Sequence, residues 1–472
     1  MLGGGVCGLA AGILLRRDGH EVTVLERDAA PVPESVEDAW KRWPRDGVTQ
    51  FRLPHLVLAR GRIVLQQSLP DIYDALERAG ATRFDWLALM PPSIADRAPR
   101  KGDEQLWTLT ARRPVLEQIL ARAAEAEAGL EIRRGVLARE LIVGSGYDGI
   151  PHVTAVRTEP GEQLNADLVI DAMGRRSQLP RWLAAVGARP VYEEAEDSGF
   201  IYYGRHFRAR DGRLPAFRAP AVTKIGTFSL LTLPADNHTW SVTFVTSAGD
   251  QPLKRLRDLD RWTAVLDACP LHAQWRDGEP ISDVQAMGGV LDRYRRFWAD
   301  GAPVATGIAA VGDAWACSNP TLGRGISLGL WHVELLRNAI SEHLEDPMGF
   351  AEAWDAVTEA ELTPWYRETV EEDRARVAEI EALRDGLVPP SPPRESWTSL
   401  MPALWGAVPL DPDVFRAFIA SRGCLKRLGE TCADQAFVAR ILELTRDRPP
   451  PPVMGPDRAE LLSLLEGAPA PL

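Results

Sequence analysis

The stretch GGGVCGLAAGILLRRDGHEVTVLE at residues 3–26 decides the fold. Gly3, Gly5 and Gly8 fit the spacing GxGxxG and open an amphipathic helix predicted over 9–19, and a strand predicted over 21–26 ends at Glu26. Such glycines permit a tight turn, a close approach of backbone to a pyrophosphate, and close packing of helix on strand. The helix N-terminus offers free N–H groups to phosphates, and a carboxylate after the second strand can hold ribose hydroxyls while repelling a 2′-phosphate. The stretch predicts a Rossmann-like dinucleotide site that disfavours NADP; the alternative is a plain strand–turn–helix crossover.

Only Met1 and Leu2 precede this motif, where a buried strand of about five residues is expected. Two explanations account for the missing residues: the start of the chain was assigned too far downstream, or the first strand is truncated. We favour a misassigned start.

Composition excludes several classes of protein. The 472 residues are 45% hydrophobic and 25% charged, which suits two or three globular domains. A net charge of −12 argues against a nucleic-acid partner and against a basic membrane-surface protein. The five cysteines form no CxxC pair or Cys/His cluster, so neither a disulfide scaffold nor a metal site is expected, and the cytoplasm is the expected location. The apolar run 6–15 is too short to span a bilayer and has no basic residue before it, so we expect neither a signal peptide nor a transmembrane segment.

The chain divides into four segments by pattern. Residues 1–190 alternate strand-like runs with helical stretches, and 191–298 contain period-2 runs such as FSLLTLP (228–234) and TWSVTFVTS (239–247) that predict antiparallel strands. Residues 299–345 return to a buried strand and a helix, and 346–472 form a helical tail with patterns at 350–385, 411–446 and 456–466. The stretch RPPPP (448–452) must be extended. The charged helix at 350–385 is expected to be a solvated face or a lid.

A second glycine-rich constellation lies in GIAAVGDAWACSNPTLGRGISLGL at 307–330. It predicts a buried strand (307–312), a loop, and a long helix that starts near Gly323–Gly325. Asp313 follows the strand and can reach the ribityl hydroxyls of a flavin, while Pro320, Gly323 and Gly325 let the helix N-terminus approach a ligand. The alternative is a structural strand–loop–helix.

These motifs resemble those of the FAD-dependent monooxygenases with the glutathione-reductase-like fold, of which para-hydroxybenzoate hydroxylase is the familiar type. The resemblance rests on GGGVCG with Glu26, on DLVIDAMGRRSQLPRWL (167–183) and on GDAWACSNPTLGRG (312–325), and it covers roughly residues 1–345. It implies an α/β fold: a Rossmann-like FAD-binding domain in two parts, an inserted, mostly antiparallel β-sheet substrate domain at 191–298, and the helical C-terminal region. It also implies an extended FAD whose isoalloxazine lies between the two domains, with Arg113 of ARRPVLEQIL (111–120) beside the pyrophosphate.

Departures from the family pattern refine the implied activity. Met173-Gly174 replaces the usual Asp-Gly, and Ala314-Trp315 replaces Ala-His, so the chain looks more like the flavin-dependent epoxidases of the polyether and squalene-epoxidase type. The WxWxIP sequence of the flavin halogenases is absent, so halogenation is not expected. The resemblance implies transfer of one oxygen atom from O₂ to a hydrophobic small molecule, by epoxidation or hydroxylation through a flavin C4a-hydroperoxide, in secondary metabolism. NADPH or NADH would supply electrons, directly or through a partner reductase.

Further candidates are weaker. His55 is expected to reach the flavin or substrate, and Arg60 to lie on a mobile loop over the flavin, although a structural histidine and a solvated turn are the alternatives. The apolar faces of the strands at 199–207, 227–234 and 239–247 should line the substrate pocket, with the candidates Phe228, Leu230, Trp240 and Phe244. Cys317 is expected to be a small buried filler.

Two other functions remain open at the level of sequence. One is a flavin-dependent reductase of the geranylgeranyl-reductase type, which shares the fold, and the other is a catalytically silent flavin-binding protein.

Overall fold

A computed structural model describes residues 1–159, 161–448 and 454–467. The helices are α1 (Val6–Arg17), α2 (Val36–Arg42), α3 (Ala59–Ser68), α4 (Pro70–Arg78), α5 (Arg113–Ala126), α6 (Leu179–Ala185), α7 (Leu259–Asp267), α8 (Gly325–His343), α9 (Pro347–Glu361), α10 (Thr363–Arg384), α11 (Met401–Ala407), α12 (Pro412–Arg422), α13 (Leu428–Thr431), α14 (Gln435–Thr445) and α15 (Arg458–Glu466). The strands are β1 (Val22–Glu26), β2 (Leu56–Val57), β3 (Thr82–Asp85), β4 (Trp107–Thr110), β5 (Leu130–Arg134), β6 (Ala138–Val143), β7 (Val153–Thr158), β8 (Gln163–Asn165), β9 (Val169–Asp171), β10 (Tyr192–Asp197), β11 (Phe200–Arg208), β12 (Val222–Ile225), β13 (Phe228–Pro234), β14 (Thr239–Ser247), β15 (Glu279–Pro280), β16 (Gln285–Met287), β17 (Leu291–Arg296), β18 (Trp298–Ala299), β19 (Ala302–Pro303), β20 (Ile308–Ala310) and β21 (Ala316–Cys317).

A parallel sheet forms the first layer. Strand β1 pairs with β5, and β20 pairs with β9, both in parallel. Leu2 joins the two pairs, because it bridges Leu25 of β1 on one side and Asp171 at the end of β9 on the other. Helix α1 packs on this sheet with nine of its twelve residues buried, which is why an almost continuous apolar run forms it. The order β–α–β is that of a Rossmann-like unit.

An antiparallel sheet forms the second layer. Its strands follow the order β12-β13-β14-β11-β15, and β16 pairs with the same strand, β11. The strands predicted over 228–234 and 239–247 are confirmed as β13 and β14. All nine residues of β14 are buried, so both faces of this strand are covered.

The C-terminal region is helical, as predicted, but it does not stand apart. Leu461, Leu464 and Leu465 of α15 pack into the same apolar cluster as Trp262 and Val265 of α7, beneath the antiparallel sheet. The expected extended stretch at 448–452 lies outside the described residues, except for Arg448. The segment boundaries at 190, 298 and 345 stay predictions.

The predicted fold class is confirmed: a Rossmann-like unit, an inserted antiparallel sheet and C-terminal helices. Within the described residues, each helix is too short or too polar to pass through a bilayer.

Candidate active site

One large cavity lies between the parallel sheet, the antiparallel sheet and the C-terminal helices. Its volume is about 2490 Å³. Pockets for a single small molecule measure roughly 300–1,000 Å³. The cavity therefore has room for a dinucleotide together with a second ligand.

The first glycine motif lines this cavity. Gly3 has a φ of +102°, and a Cβ added there would lie 2.5 Å from the carbonyl oxygen of Ala172, so only glycine fits. A Cβ on Gly5 would meet no atom within 4 Å, whereas one on Gly8 would overlap the carbonyl oxygen of Gly3. Gly5 thus leaves open space in front of α1, and Gly8 serves the packing of the turn.

The second glycine motif opens into the same cavity. Gly323 has a φ of +68°, and Gly325, the first residue of α8, also leaves open space where a Cβ would stand. Pro320, Gly323 and Gly325 all line the cavity, as do Gly3, Gly4 and Gly5. The two helix starts predicted at opposite ends of 1–345 therefore meet at one cavity.

Both helix N-termini are free to bind a ligand. Helices α7, α9, α12, α14 and α15 each begin with an aspartate whose side chain accepts a backbone N–H, whereas α1 and α8 have no side-chain cap. The first N–H groups of an uncapped helix need an external acceptor, and they carry a partial positive charge. Two uncapped helix N-termini at one cavity can bind two electron-rich groups of a ligand, such as a phosphate group and the edge of a ring.

Cys7 sits between the two motifs. A Cβ on Gly329 of α8 would lie 2.7 Å from its Sγ, and one on Gly312 would lie 2.8 Å from it. The small residues let α1 and α8 approach each other closely at this point. The sequence pattern gave no signal for this contact. Cys317 is buried, as expected of a filler.

Glu26 lies at the cavity, and its carboxylate already has partners within the chain. Its Oε2 accepts a hydrogen bond from the Gly4 N–H at 3.1 Å and lies 3.1 Å from Nη1 of Arg45. Arg45 also donates to the Gly4 carbonyl at 3.2 Å, so it holds the motif and the carboxylate together. Sequence reasoning missed Arg45, which stands outside every recognised motif.

Arg113 is held in the cavity wall by Glu117, which also binds Arg45. Its Nε donates to Oε1 of Glu117 at 2.6 Å, and Glu117 is 1% exposed and also pairs with Arg45 at 3.1 Å. Burial raises the pKa of Glu117, but Arg113 and Arg45 outweigh it and hold that pKa below its ordinary value. The carboxylate is therefore ionised, and it fixes both guanidinium groups.

His55 also lies at the cavity, next to Arg113. Its Nδ1 is 2.9 Å from the Leu53 carbonyl oxygen, so Nδ1 carries the proton, and the lone pair on Nε2 faces Nη1 of Arg113 at 3.4 Å. Burial, with help from Arg113, lowers the pKa of His55 to about 3. The imidazole is thus neutral and a weak base, and it positions Arg113.

Asp313 follows β20 and faces the cavity, as expected. Its carboxylate accepts no hydrogen bond from any residue that the structure describes. Burial raises its pKa, while Arg113 and Arg175 oppose that shift. A carboxyl group without a partner at this position can accept hydrogen bonds from a ligand.

The expectation for Arg60 is wrong. The residue lies in the first turn of α3 rather than on a loop, and it is not part of the cavity wall. Its Nε donates to the Cys424 carbonyl at 3.2 Å, and its guanidinium lies 4.4 Å from the ring centre of Trp331. Arg60 joins α3 to the C-terminal region.

The expectation for the substrate face of the sheet is also wrong. Phe228, Leu230, Trp240 and Phe244 are at most 1% exposed and form the apolar core against α7 and α15. Their neighbours on the other face line the cavity instead: Ser229, Leu231, Leu233 and Thr243. Side chains alternate between the two faces of a strand. The prediction therefore identified strands that line the cavity but named the side chains of the opposite face.

The C-terminal helices complete the cavity, which no sequence motif indicated. The residues that they and the loop after α11 supply are mostly apolar: Met401, Trp405, Val408, Phe415, Phe418 and Ile419. Helix α10 adds Asp373 and Arg376. The amphipathic pattern indicates that one face of each helix is buried, but it does not indicate which part of the protein covers that face.

Comparisons with known proteins agree with this architecture. The profile of the NAD(P)-binding Rossmann-like domain matches residues 2–32. Protein Rv3254 of Mycobacterium tuberculosis is 27% identical over 357 residues, which are 72% of this chain and 72% of that protein.

Solved structures extend the agreement to most of the chain. The flavin-dependent brominase Bmp2 superposes with a TM-score of 0.60 at 18% identity, covering 95% of this chain and 98% of its own. PqsL of Pseudomonas aeruginosa, described as a probable FAD-dependent monooxygenase, superposes with a TM-score of 0.58 at 17% identity, covering 81% of this chain and 96% of its own. At these identities the likeness establishes the fold. The chain therefore has the fold of the FAD-dependent monooxygenases.

Proposed function

We propose that this protein is an FAD-dependent monooxygenase that transfers one oxygen atom from O₂ to a hydrophobic small molecule. One observation carries the proposal: two uncapped helix N-termini and a mostly apolar group of side chains from the C-terminal helices line a single cavity. The helix N-termini suit a flavin dinucleotide, and the apolar side chains suit an apolar substrate.

The residues present fit FAD. The N–H groups at the start of α1, after Gly5, would hold the pyrophosphate, and Arg113 would add charge to it. Glu26 would accept from the ribose hydroxyls, and Asp313 from the ribityl chain. Gly3 and Gly8 shape the turn. When bound, FAD supplies the redox and oxygen chemistry.

The rest of the wall supports that chemistry by position. The N-terminus of α8, with Pro320, Gly323 and Gly325, would offer its partial positive charge to the negative charge of a reduced flavin. Apolar side chains from α11 and α12 exclude water from the same cavity. These residues bind, orient and shield.

The absence of a strong base at His55 bears on the reaction type. A general base works best with a pKa near the operating pH, and that of His55 is lowered to about 3 by burial. Hydroxylation of a phenol gains from such a base, whereas addition of oxygen to an alkene needs positioning alone. We propose epoxidation rather than hydroxylation of a phenol as the reaction, and secondary metabolism as its setting, as the family resemblance implies.

Electrons come from NADPH or NADH, directly or through a partner reductase. All five cysteines are unpaired thiols, which suits the cytoplasm as the location.

The test uses the FAD-loaded protein. It is reduced without O₂ by NADPH, by NADH or by light, mixed with O₂, and followed by stopped-flow absorbance. We expect a transient spectrum that belongs to neither oxidised nor reduced flavin before the oxidised spectrum returns. A single-phase return at the rate of free reduced flavin, with one equivalent of H₂O₂, contradicts the proposal and favours a silent flavin carrier.

Turnover of styrene, an apolar alkene, distinguishes oxygen transfer from the flavin-dependent reductase activity. Oxygen in the product that comes from ¹⁸O₂ supports oxygen transfer. A saturated product without the label indicates the flavin-dependent reductase.

A further inference from the structure

Asp373 is a buried carboxyl group in the wall of the cavity, and one of its two oxygens has no partner. It lies on α10, is 4% exposed, and its Oδ2 has no hydrogen-bond partner among the described residues. Nor does a described cation lie within ion-pair distance of it. A buried carboxyl that lacks a counter-charge and has an unsatisfied oxygen destabilises the fold, so its presence calls for a reason.

The polar groups around Asp373 are satisfied by each other. Tyr202 of β11 donates to Oδ1 of Asn319, the Nδ2 of Asn319 donates to Thr321 at 2.7 Å, and the Thr321 hydroxyl lies 2.6 Å from that of Tyr202. All three line the cavity. They close a ring of hydrogen bonds that leaves Oδ2 of Asp373 without a partner among the described residues.

Burial and two nearby carboxyl groups disfavour the ionised form of Asp373. Asp292 of β17 accepts from the Asn319 N–H at 2.6 Å, and Glu372 beside Asp373 pairs with Arg422 at 2.6 Å. Arg324, before α8, is 3.4 Å from Glu368 and bonds Thr369. Burial, then Asp292 and Glu372, raise the pKa of Asp373 well above its ordinary value, and Asn319 and Arg324 only partly oppose them.

We propose that Asp373 binds the substrate, and that its uncharged carboxyl group donates a hydrogen bond to an uncharged oxygen of an otherwise apolar molecule, such as a ketone, ester or ether. This rests on the proposed function, since it assigns the substrate class of the same cavity. A carboxylic acid kept neutral can serve as a hydrogen-bond donor in this way.

Charged ligands fit less well. A carboxylate would face Asp373, and three cations of the wall are already engaged: Arg422 pairs with Glu372, and Lys224 and Arg376 both pair with Glu379. An ammonium group would share the cavity with Lys224 and Arg376. The surrounding wall is mostly apolar, which suits one polar atom on a hydrophobic frame.

The test measures binding to the FAD-loaded, oxidised protein by calorimetry, with four naphthalene probes of one shape. They are 2-acetylnaphthalene (ketone), 2-isopropenylnaphthalene (its alkene isostere), 2-naphthoate (anion) and 1-(2-naphthyl)ethylamine (cation). We expect the ketone to bind about tenfold tighter than the alkene, as one buried hydrogen bond allows. Asp373→Leu should remove that preference without weakening the alkene, and Asp373→Asn, whose amide still donates, should keep part of it. A ketone that binds no tighter than the alkene, or a tighter ammonium, overturns the proposal.

Two further readouts exclude a merely structural role. Removing an unpartnered carboxyl should leave Asp373→Leu at least as resistant to urea as the wild type, whereas a structural residue would lose resistance. Infrared difference spectra, wild type minus Asp373→Asn at pH 7, should show the C=O band of a protonated carboxyl; a carboxylate band refutes the assignment. Asp385→Leu, at the exposed end of the same helix, is the control and should change none of these. No measurement here involves reduction or O₂, so its failure is distinct from failure of the monooxygenase proposal.

Discussion

Two glycines of one motif should respond to the same substitution in opposite ways. Gly5 has φ −86° and ψ −172°, ordinary extended backbone, and a side chain there projects into open space in the cavity. A side chain on Gly8 meets the Gly3 carbonyl oxygen, and its Cβ would lie 3.3 Å from that of Ala172. We therefore expect Gly5→Val to spare the fold and lose the cofactor, and Gly8→Val to lose the fold.

The magnitudes follow from these contacts. Valine is a poor N-cap, so Gly5→Val should cost the FAD-free protein about 1 kcal/mol of unfolding free energy. Backbone must move to admit Gly8→Val, a change that costs more than about 4 kcal/mol. At Gly5, two lost N–H bonds to a charged phosphate, at about 1.5–3 kcal/mol each, weaken FAD binding by about 10²–10⁴-fold.

Urea unfolding of the FAD-free protein and fluorescence titration with FAD measure the two quantities separately. If Gly5→Val binds FAD with wild-type affinity, the phosphates do not lie at the start of α1, and the cofactor site is elsewhere. If Gly8→Val remains as stable as the wild type, the packing reason given for that glycine is wrong.

Three further predictions concern the other walls of the cavity. Asp313→Ala should weaken FAD retention by about 10–100-fold and leave the FAD-free unfolding free energy unchanged, since its carboxylate bonds no described residue; equal losses in both would mean a structural role. His332, whose Nδ1 accepts from the Gly312 N–H at 3.2 Å, has its pKa lowered to about 3 by burial, so it stays neutral when folded while the unfolded chain takes up a proton below about pH 6.5. The contribution of His332 to the free energy of unfolding is therefore complete above that pH and decreases towards pH 3. Between pH 7.5 and 5 the free energy of unfolding, measured with urea, should decrease by about 2 kcal/mol less in His332→Asn than in the wild type. An equal decrease in the two proteins would contradict this. Leu231→Trp should keep the bound flavin but block 2-acetylnaphthalene, whereas Leu230→Trp on the core face should unfold the protein; folded Leu230→Trp protein would reverse the assignment of faces.

The part of the cavity wall for the cofactor could be predicted from sequence because its chemistry demands particular residues. Only glycine tolerates the backbone of Gly3 beside Ala172, and only a short, glycine-flanked turn brings an uncapped helix start to a phosphate. Such demands leave fixed spacings, and the spacings at 3–26 and 312–325 led to both helices.

The face of the antiparallel sheet could not be predicted. Alternation identifies a buried face when the other is polar, but every residue of β14 is buried. Trp240 and Phe244 looked suitable for a pocket because they are large and apolar, which are also the properties of core residues. Only the position of α7 and α15 beneath the sheet distinguishes the two.

Residues that act through pairs also escaped prediction. Arg45 and Glu117 lie 72 positions apart in sequence and meet at 3.1 Å in the wall beside the first motif. Neither has a local pattern, because an ion pair requires only that two charges become neighbours in the fold. Arg60 is the opposite case, because the local sequence suggested a loop over the flavin, whereas its side chain donates a hydrogen bond to the distant Cys424 carbonyl.

The two kinds of wall in the cavity differ in what they require of the chain, and this explains why the cofactor can be inferred and the substrate only proposed. Backbone N–H groups and glycines form the wall for the cofactor, and few sequences can supply that geometry. Apolar side chains from Met401 to Ile419 form another part of the wall, and any that fill the space will exclude water. Polar groups are costly in such a wall, so an unpartnered one carries more information about the ligand than all the apolar residues around it. That is why Asp373, rather than the aromatic side chains near it, is the residue from which the chemistry of the substrate can be read.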